Sequence, residues 1–288
     1  MHKSLRTDIT TVSQAVEINT EKDYHISTQA LFSDKVAFPN LKILKISHLK
    51  TVKIIWHNLL HTDSFCKLKE MKVGFCNDLL TIFPSNMVGT FQRIKTLIVS
   101  NCESLQHIFE IKVLDIKDTN PVATKLRELY IFHLPNLKHV WNEDPRDIHT
   151  FQNIRIVYVW DCWSLKSLFP ASVAKGLKQL KDLTINCCGL EEVVSEEEGL
   201  KQAVNNFVFP QVCYLTLWNL PELKCFYPAM HETELPKLKV LKTYHCGKEN
   251  ILGIQEHHSS IQKPPVLFER VLNSNIPLKM FTYDVQTE

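Results

Sequence analysis

One pattern recurs eight times along this chain: an aliphatic anchor, a second aliphatic three residues on, a third five residues on, and Cys or Leu eight residues on. The copies read Leu41, Leu44, Ile46, Leu49; Leu68, Met71, Val73, Cys76; Ile94, Leu97, Val99, Cys102; and Leu126, Leu129, Ile131, Leu134. They continue as Ile154, Val157, Val159, Cys162; Leu180, Leu183, Ile185, Cys188; Val212, Leu215, Leu217, Leu220; and Leu238, Leu241, Thr243, Cys246. Successive anchors are 27, 26, 32, 28, 26, 32 and 26 residues apart. A second period lies inside the first, because anchors 41, 126 and 212 stand 85 and 86 residues apart and group the copies in threes. The first, fourth and seventh copies carry Leu at the eighth place and end in Trp56, Trp141 and Tyr227. The second and fifth share the endings Ile82-Phe83-Pro84 and Leu168-Phe169-Pro170.

Aliphatics alternating with polar or aromatic residues predict a short strand with one buried face. A single strand with its return loop cannot bury that face, so neighbouring copies must stack into a parallel sheet over a continuous core. Later aliphatics, such as Leu79 with Ile82 and Leu137 with Val140, close the core from the other side.

This pattern resembles the leucine-rich repeat, with Cys or Leu where that family places Asn or Cys. Segments such as Phe38-Pro39-Asn40-Leu41-Lys42, Asn101-Cys102-Glu103-Ser104-Leu105 and Leu134-Pro135-Asn136-Leu137-Lys138 narrow the likeness. They look like the C-terminal repeats of plant intracellular immune receptors of the coiled-coil, nucleotide-binding, leucine-rich-repeat class, over residues 38–250. The resemblance implies an α/β fold: a leucine-rich-repeat solenoid, a curved right-handed superhelix with a concave parallel β-sheet and a mostly irregular convex side. It implies a recognition domain in plant defense that senses pathogen effectors or guarded host proteins, in the cytoplasm or nucleus. The chain departs from that class in having no G-x-x-x-x-G-K-[ST] loop to cradle phosphates, so nucleotide switching does not carry over. A stand-alone scaffold, a decoy or a ubiquitin-ligase substrate adaptor is the alternative; an adaptor would need an F-box helix bundle that residues 1–37 do not show.

Composition narrows the remaining choices. Hydrophobic residues at 44% allow a substantial core. A net charge of +2 gives no bulk reason to bind nucleic acid or an acidic membrane. No apolar run reaches the roughly 18 residues a membrane span needs, and the N-terminus lacks the apolar core of a secretory signal. With only 7 glycines, a fold built on Gly-rich phosphate loops is disfavoured.

No catalytic, cofactor or metal site emerges. Five of the nine cysteines fall on the eighth place of the repeat, a spacing set by the repeat and unlike C-x-x-C, so they read as buried structural thiols. Adjacent Cys187 and Cys188 leave Cys187 off that place, with exposure possible for a regulatory thiol. His48, His133 and His245 each precede the eighth place, which is register at a strand end and not ligand spacing. No G-x-S-x-G occurs, and the carboxylates from Glu191 to Glu198 read as a solvated charge run. No enzyme activity is expected.

Function is expected on the sheet. Residues four and six places after the anchor should point away from the core and include Tyr130, Phe132, Tyr158, Trp160, Trp218 and Tyr244. Aromatics gathered on an exposed face serve as protein-binding anchors, unless loops fold over them. One place after the anchor stand Lys69, Lys95, Arg127, Arg155 and Lys181, a ladder able to steer an acidic partner. The plainer reading is that these stems cover apolar surface while Glu70, Glu128 and Asp182 balance their charge. The expected partner is therefore a protein: an effector, a guarded host protein or the nucleotide-binding module of the receptor. Nucleic acid is a minor reading.

Three segments follow from the spacing. Residues 1–37 read as a linker or cap, partly disordered; 38–250 hold the array of about eight repeats; and 251–288 carry a partial ninth repeat at Leu278, Phe281 and Tyr283. Stopping within a repeat would suit a segment of a longer array.

Overall fold

The computed structural model describes residues 8–12, 15–19, 30–32, 38–56, 64–85, 93–111, 122–145, 149–195, 206–227 and 232–247. Ten strands form one sheet in simple chain order. They are β1 (Asp8–Val12), β2 (Ala15–Asn19), β3 (Ile43–Ser47), β4 (Glu70–Gly74), β5 (Thr96–Ser100), β6 (Glu128–Phe132), β7 (Ile156–Cys162), β8 (Asp182–Cys188), β9 (Tyr214–Leu220) and β10 (Val240–Cys246). All pairings from β2 to β10 are parallel, and β1 folds back antiparallel on β2.

The third- and fifth-place aliphatics of the first seven copies are at most 1% exposed, so each strand from β3 to β9 drives the same two side chains into one core. Burying each such side chain is worth about 1.5–3 kcal/mol, which no copy could gain alone. Matching places pair exactly across neighbours: Leu44 with Met71, Met71 with Leu97, Leu97 with Leu129 and Leu129 with Val157. The core is less closed at β10, where Leu238 and Leu241 are only partly buried and Thr243 is exposed.

The hairpin β1–β2 lies within residues 1–37. Val16 and Ile18 pair with Leu44 and Ile46 and are 2% and 3% exposed. They are the third- and fifth-place residues of a further copy, whose anchor place holds Ser13. The expected ninth strand at Leu278, Phe281 and Tyr283 lies outside the described residues.

A column of rings runs down the return side. Phe32 stacks on Trp56 at 5.4 Å, Trp56 on Phe83 at 6.4 Å, Phe83 on Phe109 at 5.3 Å and Phe109 on Trp141 at 5.6 Å; Phe169 follows at 6.0 Å. A second set of rings stands three residues before the anchor. Phe65 meets Trp56 edge-on at 5.2 Å, and Phe151 meets Trp141 edge-on at 5.1 Å. The carbonyls of Phe65 and Phe151 accept the amides of anchors Leu68 and Ile154, so each ring also closes the turn that starts a strand. Buried, interlocked rings of this kind carry the largest single contributions to such a core. Spacing aligned Tyr227 with Trp56 and Trp141, but the chain seats its neighbour Phe226 in the core, 3% exposed, and leaves Tyr227 half buried.

The return side, expected to be mostly irregular, holds short parallel strands. Thr81–Phe83, His107–Phe109 and His139–Trp141 form a three-stranded sheet, and Ser167–Phe169 pairs with Glu192–Val194. One six-residue helix, α1 (Ala171–Gly176), follows the fifth copy.

Each repeat leaves its strand by the same bend. The residue seven places after the anchor has positive φ in all eight copies: His48, Phe75, Asn101, His133, Asp161, Cys187, Asn219 and His245, at 50° to 58°. The next residue, where it is Cys, returns its thiol to the carbonyl two residues back. Cys76 donates to Gly74, Cys102 to Ser100, Cys162 to Trp160 and Cys188 to Asn186, at 3.2–3.5 Å. The thiol is a second donor to carbonyls that, at Gly74, Ser100 and Trp160, already accept an amide from the preceding copy, and a small buried thiol suits the place.

Candidate recognition surface

Strand alternation sends the second, fourth and sixth places after each anchor to the open face of the large sheet. The sixth-place row reads Ser47, Gly74, Ser100, Phe132, Trp160, Asn186, Trp218 and Tyr244. The fourth-place row reads Lys45, Lys72, Ile98, Tyr130, Tyr158, Thr184, Thr216 and Lys242. Aromatic character is thus absent from β3 to β5 in these rows and begins at β6.

The six aromatics singled out from the sequence form two clusters. On β6 and β7, Phe132 lies 6.3 Å from Tyr130 and 5.5 Å from Tyr158, while Trp160 packs against His133 at 5.4 Å. On β9 and β10, Trp218 and Tyr244 approach to 4.4 Å. Strand β8, with Thr184 and Asn186, separates them. Exposure differs sharply: Tyr244 is 59% and Trp218 43% exposed, whereas Phe132 is only 8% exposed. Phe132 is therefore a floor on which Tyr130 and Tyr158 rest, and the surface belongs to its neighbours. Tyr214, on the second-place row and 47% exposed, extends the face toward β9. Tyr214 lies outside the fourth and sixth places to which strand alternation directs attention in the sequence.

The basic ladder lies one residue before each strand. Lys69, Arg127, Arg155 and Lys181 are exposed and Lys95 is half buried. Their carbonyls stitch the sheet's edge together, each accepting two amides from the next copy: Lys69 from Lys95 and Thr96, Lys95 from Arg127 and Glu128, Arg127 from Arg155 and Ile156, Arg155 from Lys181 and Asp182. Lys181 accepts from Cys213 and Tyr214. The carboxylates expected to balance the ladder point elsewhere. Glu70 pairs with Lys72 at 3.0 Å, Glu128 accepts from Thr96 Oγ1 at 3.2 Å, and Asp182 accepts from Thr184 Oγ1 at 3.2 Å. The Arg155 guanidinium donates to Gln179 Oε1.

Glu128, Ile156, Asp182 and Tyr214 are successive register partners on the second-place row, directly beside Tyr130, Tyr158 and Thr184 on the fourth. Burial holds the Asp182 carboxyl above its usual range, against the opposing hydrogen bond from Thr184. Burial also raises the Tyr130 and Tyr158 phenols; Asp182 adds to both, and Glu128 to Tyr130. Two carboxylates and two phenols therefore share a partly desolvated patch.

The left-handed bends form a polar row along the far edge of the face. His133 Nδ1 meets Asp161 Oδ2 at 2.7 Å, Asn219 Nδ2 donates to Cys187 Sγ at 3.3 Å, and His245 Nδ1 meets Asn219 Oδ1 at 2.7 Å. Cys187, flagged as a possible exposed thiol, is half buried and donates to Asn186 Oδ1 at 3.0 Å. Among the described residues no three His, Cys, Asp or Glu side chains gather as a metal would require. No described helix is long and apolar enough to cross a membrane.

Comparison with known families brings one match: the model for plant disease resistance protein RPS2-like leucine-rich repeats fits residues 40–189. Searches of curated proteins and of solved structures gave no match.

Proposed function

We propose that this chain, which belongs to the RPS2-like leucine-rich-repeat family of plant disease resistance proteins, recognises a protein through the open face of its large sheet. The observation that carries this reading is the aromatic concentration from β6 to β10, held in register by the strand pairing and only partly covered. Monomeric proteins rarely leave such a patch exposed without a partner, and aromatic anchors dominate the energetics of protein interfaces.

In this reading the sheet is the concave side of the solenoid, and the defense role follows from the family. The partner is a pathogen effector, a guarded host protein, or the nucleotide-binding module of a receptor. Tyr130, Tyr158 and Trp160 form one contact centre on the Phe132 floor, and Trp218 with Tyr244 form a second. Lys69, Lys95, Arg127, Arg155 and Lys181 steer the approach of acidic surface around the site. The action is non-covalent, and the protein works in the cytoplasm or nucleus without a cofactor.

Co-immunoprecipitation from infected leaf tissue tests this, with wild type compared against the triple variant Tyr130→Ala, Tyr158→Ala, Trp160→Ala. Loss of the co-purifying proteins, with the circular dichroism spectrum unchanged, supports the reading. Unchanged recovery sinks it. If neutralising Lys69, Lys95, Arg127 and Arg155 instead releases bound nucleic acid, the ladder is the binding element.

A further inference from the structure

The patch at β6 to β9 carries a charge pattern that specifies more than apolar contact. Glu128 and Asp182 flank Ile156 from the two neighbouring strands. Glu128 accepts from Thr96 on β5 and so leans away from Ile156, which leaves Asp182 as the carboxylate beside it. Tyr130 and Tyr158 stand on the next row, and Tyr214 is the register partner of Asp182 on the following strand. Among the described residues no cation pairs with either carboxylate, and each is served by one threonine hydroxyl.

Leaving Asp182 partly desolvated without a cation is unfavourable for the free protein. A carboxylate in that condition gains most from a partner that brings a matched positive group. The surrounding rings favour the same group, since a guanidinium stacks on aromatic faces within about 6 Å of the ring centre.

We infer that Asp182 takes an arginine side chain from the protein partner, its guanidinium held by the Asp182 carboxylate and stacked against Tyr214 on the next strand and Tyr158 on the row beside it. This rests on the recognition reading above and names the chemistry of its partner. The ladder residues Arg127, Arg155 and Lys181 lie one place below the carboxylates, so the partner segment carries acidic residues beside its arginine, toward the strand starts. An arginine flanked by acids fits both rows at once, whereas a uniformly acidic or uniformly basic segment meets one row with like charge.

The test uses the whole chain as bait for phage-displayed random dodecapeptides, followed by titration of the selected peptide by calorimetry. The expected pool shares one Arg with acidic neighbours. Replacing that Arg by citrulline, which keeps the shape and removes the charge, weakens binding to wild type about tenfold or more. On Asp182→Asn, a nearly isosteric change, the same replacement has less than a threefold effect, so the two changes couple. If peptides bind and are lost on the Tyr130, Tyr158, Trp160 triple variant but share no cation, the arginine inference is overturned and the recognition surface stands. An equal citrulline effect on wild type and Asp182→Asn overturns it in the same way. If no selected peptide depends on this face, both readings fall.

Discussion

His133 and Asp161 occupy the same place in adjacent copies, both with left-handed backbone, and their side chains meet at 2.7 Å across the repeat boundary. The bend that ends one strand is thereby tied to the bend that ends the next. Left-handed φ costs an L-residue about 1–2 kcal/mol, least for His, Asn and Asp, and most for β-branched side chains. His133→Val is expected to destabilise by about 2 kcal/mol, read as a lower urea midpoint at unchanged slope. His133→Gly should fall close to wild type, because relief of the backbone offsets the lost hydrogen bond.

Four cysteines, Cys76, Cys102, Cys162 and Cys188, are buried, and their thiols donate to backbone carbonyls. Burial and the neighbouring Cys188 thiol push the Cys162 thiol up. Reaction needs the thiolate and access to it. Titration with a thiol-reactive disulfide dye at pH 8 should leave Cys162 unreacted in the native protein, and the other three shielded by burial, with all four released on unfolding. Rapid native labelling of Cys162 would contradict the assignment.

Asp182 predicts a trade between folding and binding. Its carboxyl is held above the usual 3.8, mainly by burial, so the folded chain keeps this proton to higher pH than the unfolded chain does. Stability from this group is therefore lost as pH rises through the window above 3.8. Asp182→Asn should raise the free energy of unfolding at pH 7 by a few tenths of a kcal/mol, allowing for solvent screening on its exposed side, read as a higher urea midpoint at unchanged slope, and leave it unchanged near pH 3. A gain of stability with loss of peptide affinity is the signature of a residue kept for its ligand.

His107 and His139 stack at 5.8 Å on the return side. Burial lowers both from 6.5, with Lys138 adding at each, His139 adding at His107, and Glu110 opposing at His107. Protonation is harder in the folded chain, so the unfolded state binds more protons as pH falls through about 6.5 and stability declines there. The double variant His107→Gln, His139→Gln should flatten that decline between pH 7.5 and 5.5 in thermal melts. An unaltered slope would assign the decline to other groups.

The anchors and the third- and fifth-place aliphatics made the sheet legible, because burial on one face leaves a period that survives exchange among Leu, Ile, Val and Met. The copy at Val16 and Ile18 escaped, since its anchor place is Ser13 and its eighth place Glu21. The eight left-handed bends were hidden by the absence of glycine, although His, Asn and Asp fill six of the eight places. Phenylalanines also recur three places before the anchor, at Phe38, Phe65, Phe91, Phe151 and Phe209, but Ala123, Leu177 and Leu235 interrupt them, so that column is a weaker signal than the strand period. On the candidate surface, alternation identified the direction of each aromatic. It could not separate Phe132, packed against the two tyrosines, from Tyr244, because cover comes from the size of neighbouring side chains on the same and the next strand.

The grouping in threes reaches into the core. Eighth places run Leu49, Cys76, Cys102, then Leu134, Cys162, Cys188, so the thiols lie in adjacent pairs, and the ring column places Trp141 three copies after Trp56. A gene encoding such an array can misalign with its own copy by 85 or 86 codons and still recombine in frame. The product would gain or lose three strands, about 14 Å of sheet, with the Leu, Cys, Cys order of the eighth places continuing across the join. Its open face would be new in length and spacing while the buried eighth-place pattern continued, so a change of three copies would alter the surface in one block.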